Sequence, residues 1–158
     1  MPFDLRKHVP FYLASISYRL GRNASRSFPV LFGLNQMEWQ ILAILASTPL
    51  ASATDVSEIS CIDKAAVSRG VRRLEELGLV AATPVASHNR KRLLALTPAG
   101  EAAFNKVSRY VLERERTLMR GISSAEQDLL VDLLRRIYDN TEGIDQVVDH
   151  DHQSVRSE

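Results

Sequence analysis

The stretch between Ser52 and Gly78, with the residues that follow it, constrains the fold most, because its hydrophobic period changes from helical to strand-like. Ser52 and Asp55 have the spacing of a helix capping box, and Asp63 can cap a second helix that ends at Gly78. After this glycine two short apolar runs, LVAAT and RLLAL, indicate strands joined by the loop PVASHNRK. The sequence therefore predicts a short helix, a tight turn, a second helix and a hairpin.

Positive charge is concentrated in the same part of the chain, although the formal net charge is only +1. Seven Lys or Arg residues stand against three acids between residues 62 and 100, whereas the last twenty residues hold six acids against Arg156 alone. Positive charge on one face neutralises phosphates, and a neutral remainder limits indiscriminate binding. These features predict a mainly α protein with a small β-hairpin wing, a winged helix-turn-helix that docks on duplex DNA.

Helices with wide apolar stripes flank this DNA-binding part, which we place at about 35–97. The flanking helices are predicted at about 8–28, 98–121, where Gly121 ends the helix, and 124–142. Asn35 with Glu38 and Ser123 with Glu126 have the same capping-box spacing at two further helix starts. So small a DNA-binding core could not cover all of them, which favours burial against a second copy in a homodimer; the alternative is a self-contained bundle. We expect one domain over 1–144, followed by an acidic, flexible tail over 145–158.

The second helix of the motif separates an inward stripe from an outward face. Spacing places Val67, Val71, Leu74 and Leu77 inward. The residues left to meet a DNA groove are Lys64, Ala65, Ala66, Ser68, Arg69, Arg72 and Arg73. The hairpin loop adds Arg90, Lys91 and Arg92. An ordinary solvated face, balanced by Glu75 and Glu76, is the alternative interpretation.

These residues also carry a family likeness. The run DKAAVSRGVRRLEELGLV, followed by NRKRLLALTPAG, resembles the recognition helix, wing and LT-x-x-G junction of the MarR family of bacterial transcriptional regulators, over about Leu5 to Ile144. The resemblance implies a homodimer that reads a pseudo-palindrome, usually as a repressor, with a ligand cleft between its dimerisation and DNA-binding parts. Family wings often carry Asp two residues before an Arg, but here His88 precedes Arg90, so the acid that would orient this Arg is absent.

A polar stripe on the first helix suggests where an effector binds. His8, Tyr12, Ser15 and Arg19 follow each other at helical spacing, and the resemblance adds Trp39 to the same pocket. An aromatic ring could stack on Tyr12 or Trp39 while a carboxylate pairs with Arg19. The first helix also resembles that of members which respond to phenolic or aromatic carboxylic acids. In the alternative interpretation Trp39 is a core residue and Arg19 a surface or interface charge.

The single cysteine and the acidic tail offer two weaker hypotheses. Cys61 is expected to be a packed, inert residue, and a cysteine-based redox response is the alternative. The DHDH run at Asp149–His152 reads as solvated tail rather than as a metal site.

Other functional classes find less support in the sequence. The four histidines lie in no nucleophile elbow, phosphate loop or zinc motif, so we predict no catalytic residue, no metal and no cofactor. A winged helix used only for protein contacts is a further alternative, and it would show no salt-dependent duplex binding. No apolar run approaches the roughly 18 residues of a membrane span, which predicts a cytoplasmic protein without membrane contact.

Overall fold

The computed structural model describes residues 3–85 and 88–143, apart from the side chains of residues 85, 88–91 and 142. Its helices and strands are α1 (Val9–Phe32), α2 (Gln36–Ser47), α3 (Ala53–Ser60), α4 (Lys64–Glu76), β1 (Val80–Val85), β2 (His88–Leu96), α5 (Pro98–Leu118) and α6 (Ser124–Asp139). One 3-10 turn precedes α1 and another follows α6. The mainly helical fold with a two-stranded hairpin confirms the predicted winged helix-turn-helix class.

Two compact units divide the chain within α5, the first ending at Val111 and the second beginning at Leu112. The first unit holds the hydrophobic core, where Phe28 of α1, Ile41 of α2, Leu74 of α4 and Leu94 of β2 are almost fully buried. The helix-turn-helix and the hairpin therefore share one core. The second unit consists of the end of α5, α6 and the turn that follows.

Capping boxes begin three of the helices, as the sequence predicts. Asn35 and Glu38 start α2, Ser52 and Asp55 start α3, and Ser123 and Glu126 start α6. In each box the first side chain accepts from the backbone N–H three residues later, and the acid accepts from the first residue's N–H. The hydroxyl and N–H donors at the start of α6 lower the pKa of the Glu126 carboxyl.

The hairpin lies against the helix-turn-helix through its second strand. β1 and β2 pair antiparallel with Val80 opposite Leu96, and the register becomes irregular between Pro84 and Val85. The Leu94 N–H donates to the Ala51 carbonyl at 2.9 Å, so β2 also bonds to the turn that precedes α3. The hairpin extends further than the two predicted apolar runs.

Three helices end elsewhere than the sequence predicts, and one of them is α6, which ends at Asp139 and not at about 142. α1 continues past Pro29 to Phe32 because the Phe32 ring packs on Tyr110, with ring centroids 5.4 Å apart, and Gly33 then ends the helix at φ 67°. α5 ends at Leu118, three residues before the glycine that we expected to terminate it. Tertiary packing extends the first helix beyond the end that its hydrophobic stripe indicates.

Within the described residues, no helix combines the length and apolar character needed to cross a membrane. No group of three or more His, Cys, Asp or Glu residues in that part of the chain could hold a metal ion. The DHDH run and the whole of the predicted acidic tail lie outside the described residues.

Candidate nucleic-acid interface

Helix α4 presents the outward face predicted for it. Its start is capped by Asp63, whose Oδ1 accepts from the Ala66 N–H at 2.8 Å. Val67 and Leu74 are fully buried on the opposite side. Leu77, which the spacing placed inward, is instead 39% exposed because it lies beyond the last turn of the helix. The inward stripe is therefore one residue shorter than predicted.

The DNA-contact residues predicted on α4 share its outer surface. Ala66 is half-buried, and its N–H is already used by the cap. The exposed members are Lys64, Ala65, Ser68, Arg69, Arg72 and Arg73. Small side chains at the first turn and cations further along leave room for close approach to base edges, with charge for the flanking phosphates.

Close packing against α2 fixes the position of α4. A Cβ added at Gly70 would lie 2.6 Å from Ile41 Cδ1 and 3.0 Å from Met37 Cε, so only glycine allows this approach without repacking. The turn between α3 and α4 is held by the Ser57 hydroxyl of α3, which donates to the Ile62 carbonyl at 2.6 Å. The outward face of α4 is thus held by the core below it.

One predicted wing cation is engaged with the recognition helix. Arg92 of β2 makes two hydrogen bonds to Glu75 of α4, from Nη2 to Oε1 at 2.7 Å and from Nη1 to Oε2 at 3.4 Å. The pair is partly exposed, with 54% of the Arg92 side chain and 27% of the Glu75 side chain accessible. The side chains of Arg90, Lys91 and His88 lie outside the described residues. The arrangement assigns Arg92 to bracing the wing against α4, a link that sequence spacing could not reveal.

This ion pair leads to a prediction about salt dependence. Each phosphate contact contributes about 0.9 to the slope of log affinity against log salt concentration. We expect Arg72→Gln to lower that slope by about one, whereas Arg92→Gln leaves it nearly unchanged because Glu75 already neutralises this guanidinium. Fluorescence anisotropy with a labelled duplex, titrated with KCl, measures both slopes. A fall of about one unit for Arg92→Gln would mean that Arg92 leaves Glu75 for a phosphate.

The junction between the wing and α5 explains the LT-x-x-G pattern. The Thr97 hydroxyl donates to the Gly78 carbonyl at 2.7 Å and accepts from the Gly100 N–H at 3.0 Å. The Thr97 N–H donates to the Leu79 carbonyl at 3.0 Å. A Cβ on Gly100 would collide with that same carbonyl. Threonine and glycine therefore join the start of α5 to the end of α4 and the start of the hairpin.

A second concave surface follows α1. This α1 groove has a volume of about 620 Å³, and its described lining belongs entirely to α1. It contains two predicted effector residues, Ser15 and Arg19, beside Tyr18, Arg22 and Arg26. No acid is present in this described lining, so the groove favours anions.

The other predicted effector residues lie elsewhere in the protomer. Tyr12 donates to the Arg6 carbonyl at 3.3 Å, and the His8 ring lies 5.0 Å from the Phe3 ring, at the start of α1. Trp39 stacks on Phe104 of α5, with centroids 5.4 Å apart and an interplanar angle of 13°. The structure therefore brings Ser15 and Arg19 together but does not place Trp39 in the lining of their groove.

Cys61 corrects a further expectation. It is exposed rather than packed, because it caps α3 in the left-handed conformation at φ 55°, which turns its side chain away from the core. Its Sγ lies 3.9 Å from the Glu58 carbonyl oxygen. Sequence pattern missed this because a cysteine beside Ile62 at a helix turn reads as part of an apolar cluster.

Known proteins share this fold and its sequence pattern. A family model described as the MarR family matches residues 32–91, which include α2, α3, α4 and β1. The homoprotocatechuate degradative operon repressor of Escherichia coli is 26% identical over 76% of this chain and 84% of its own length.

Solved structures of transcriptional regulators are also similar to this chain. A MarR/EmrR family transcriptional regulator from Acinetobacter sp. ADP1 is 27% identical, with a TM-score of 0.80 over 90% of this chain and 100% of that one. BpsR of Bordetella bronchiseptica, whose DNA binding is regulated by 6-hydroxynicotinic acid, is 25% identical, with a TM-score of 0.76 over 88% of this chain and 99% of that one. The chain belongs to the MarR family and is a DNA-binding transcriptional regulator, not an enzyme.

Proposed function

We propose that this regulator is a repressor that binds a pseudo-palindromic operator as a homodimer and is released by a small aromatic or phenolic carboxylic acid. The observation that carries the DNA-binding part is the exposed face of α4, which combines small residues at its first turn with Arg69, Arg72 and Arg73. Repression is supported by the operon repressor of Escherichia coli, which is similar over most of its length.

Exposed apolar side chains support a homodimer. In α6 no residue is buried, and Leu129, Val131 and Tyr138 are each 46% or more exposed. In α1 Ile16 and Tyr18 are likewise exposed, at 46% and 69%. Apolar surface of this extent on the helices that flank a DNA-binding core favours burial against a second copy. Two-fold symmetry would then present two α4 helices to two half-sites.

The homodimer has a direct test. Multi-angle light scattering at micromolar protomer concentration should give twice the 17.7 kDa chain mass. Replacing the exposed Leu129 and Val131 together by Glu should shift the mass toward that of the monomer, because it buries unpaired charge in the proposed interface. The same double change to Glu at the exposed Gln40 and Ala125, outside that apolar set, is the control. A single-chain mass for the unmodified protein would remove the dimer and the palindrome from the proposal.

The α1 groove supports an acidic effector. Arg19, Arg22 and Arg26 supply positive charge, Ser15 a hydroxyl and Tyr18 an aromatic ring, which together suit a phenolic carboxylate. Because the described lining comes from one helix, a ligand here needs a second wall to lose its contact with water. In a homodimer the partner protomer would supply that wall. Regulation of BpsR by 6-hydroxynicotinic acid, an aromatic acid, agrees with this ligand class.

The effector hypothesis predicts that one substitution weakens the response to the ligand without weakening DNA binding. Arg19→Ala should retain operator affinity but need at least about tenfold more homoprotocatechuate for release, because it loses a charge-assisted hydrogen bond to the carboxylate. Anisotropy with a duplex selected from a random-sequence pool measures both quantities. Arg120→Ala, the same change at an exposed residue outside the groove, is the control. An unchanged ligand response of the Arg19 variant would show that Arg19 is not the anion partner.

The structure meets one condition of the redox alternative, which is access of an oxidant to Cys61. Cys61 is exposed and lies in the turn before α4, so an oxidant could reach the element that reads DNA. The chain contains no second cysteine to form an internal disulfide. We therefore keep release by an aromatic acid as the proposed function.

A further inference from the structure

A separate cavity lies at the base of the wing. This wing-base cavity has a volume of about 390 Å³ and lies between the end of α2, the end of β2 and the first turns of α5. Its described lining has no residue in common with that of the α1 groove. Its volume is within the range of small-molecule sites, about 300–1,000 Å³.

The lining combines an apolar floor with an acidic rim. Leu45 is buried, and Leu96 and Phe104 are half-buried along the floor. Glu101 and Asn105, four residues apart on α5, supply the polar side chains. The described lining contains no Lys, Arg or His, so nothing there would neutralise an anion.

The Glu101 carboxylate is available to a ligand. It makes no ion pair and no side-chain hydrogen bond with the residues that the structure describes, and it is exposed. Its position near the start of α5 favours its negative charge through the helix dipole, which explains why the acid needs no protein partner. A cation placed above the floor could pair with it, while the Asn105 amide oxygen accepts a further hydrogen bond.

The two walls of the cavity belong to the segments that position the DNA-reading elements. Pro49 belongs to the turn that leads into α3, and Ala95 belongs to β2 of the wing. These segments are joined next to the cavity by the hydrogen bond from Leu94 to Ala51. A ligand in the cavity would therefore touch both the helix-turn-helix and the wing.

We propose that the wing-base cavity binds a small organic cation with an apolar ring, an arylalkylamine, whose ammonium group pairs with Glu101 and whose ring lies on Leu96 and Phe104. This site would give the regulator a second ligand of opposite charge to the proposed acidic effector. The proposal concerns binding alone, so it does not depend on the α1 groove or on operator release.

The chain contains its own reporter for this site. Trp39 is the single Trp, and it stacks on Phe104, which lines the cavity. We expect phenethylamine to change Trp39 emission saturably and to give a matching isotherm by titration calorimetry. 3-Phenylpropionate has a similar ring and chain length but carries a carboxylate, and it should bind at least about tenfold more weakly. Equal binding of the two compounds, or no binding of the amine by either method up to 10 mM (on the order of the weakest useful affinities), overturns the proposal.

Variants locate the site. Glu101→Gln should weaken phenethylamine about fivefold, the upper end for an exposed ion pair, whereas Glu115→Gln, an exposed acid later in the same helix, should not. Ala46→Leu should weaken the amine further by filling the cavity from α2. Arg19→Ala should leave amine binding unchanged even where it weakens the acid response, so the test of one site does not depend on the other. Unaltered affinity in both Glu101→Gln and Ala46→Leu would place the amine elsewhere.

Discussion

Ala65→Glu should abolish sequence-specific DNA binding, with a loss of at least about a hundredfold in operator affinity. Ala65 lies in the first turn of α4, is exposed, and stands between Lys64 and Ala66 at the end that we expect to approach the groove. A longer acidic side chain there would meet base edges and the phosphate field, and juxtaposed like charges cost several kcal/mol. At 1.4 kcal/mol for each tenfold change, such a cost exceeds a factor of one hundred.

The fold should survive this substitution, because the Ala65 side chain makes no core contact and Asp63 still caps the helix. Ala125→Glu is the matched control, since Ala125 is also exposed and in the first turn of a capped helix, α6. Anisotropy at one salt concentration and circular dichroism of both variants complete the comparison. Retained specific binding by a folded Ala65→Glu protein would remove α4 as the reading helix.

Features encoded within a few residues were predictable from the sequence. The boxes that begin with Asn35, Ser52 and Ser123 need only a side chain and a backbone group three positions apart, and all three form. The change of hydrophobic period after Gly78 likewise placed the hairpin correctly. Local hydrogen bonding and periodicity were enough to predict the order of elements and hence the fold class.

Features that depend on contacts between distant residues were not predictable. Arg92 and Glu75 are 17 residues apart, and nothing in their spacing indicates that they pair. Phe32 extends α1 past a proline because it meets Tyr110, nearly eighty positions later. Sequence spacing alone therefore could not show that a wing cation such as Arg92 pairs within the protein, and its DNA contact stays a prediction.

In the candidate effector site, too, the sequence predicted the local arrangement but not the contacts between distant residues. Helical spacing correctly placed Ser15 and Arg19 on one concave face. Trp39 was assigned to that pocket by resemblance, but its ring stacks on Phe104. Periodicity tells which residues share a face of a helix, and tertiary structure decides what that face meets.

Gly100→Ala should destabilise the protein by about 3 kcal/mol, a large value for a single methyl group. The added Cβ would collide with the Leu79 carbonyl, which is backbone and already accepts from the Thr97 N–H at 3.0 Å. Relief of the collision would separate α5 from the start of the hairpin and strain the Thr97 bonds to Gly78 and Gly100.

The matched control is Gly21, where substitution by alanine is expected to raise the stability of the protein. Gly21 lies inside α1, and a Cβ there would have Gln36 Oε1 as its nearest neighbour outside the helix backbone, at an ordinary 3.9 Å. Gly21→Ala should therefore stabilise by up to about 1 kcal/mol, because alanine is the better helix former. Urea denaturation at equal protomer concentration gives both values, and thermal melts should show a fall of roughly 10 °C for Gly100→Ala. Stability of Gly100→Ala equal to that of the unmodified protein would mean that α5 and the hairpin are not packed as closely as the Thr97 hydrogen bonds indicate.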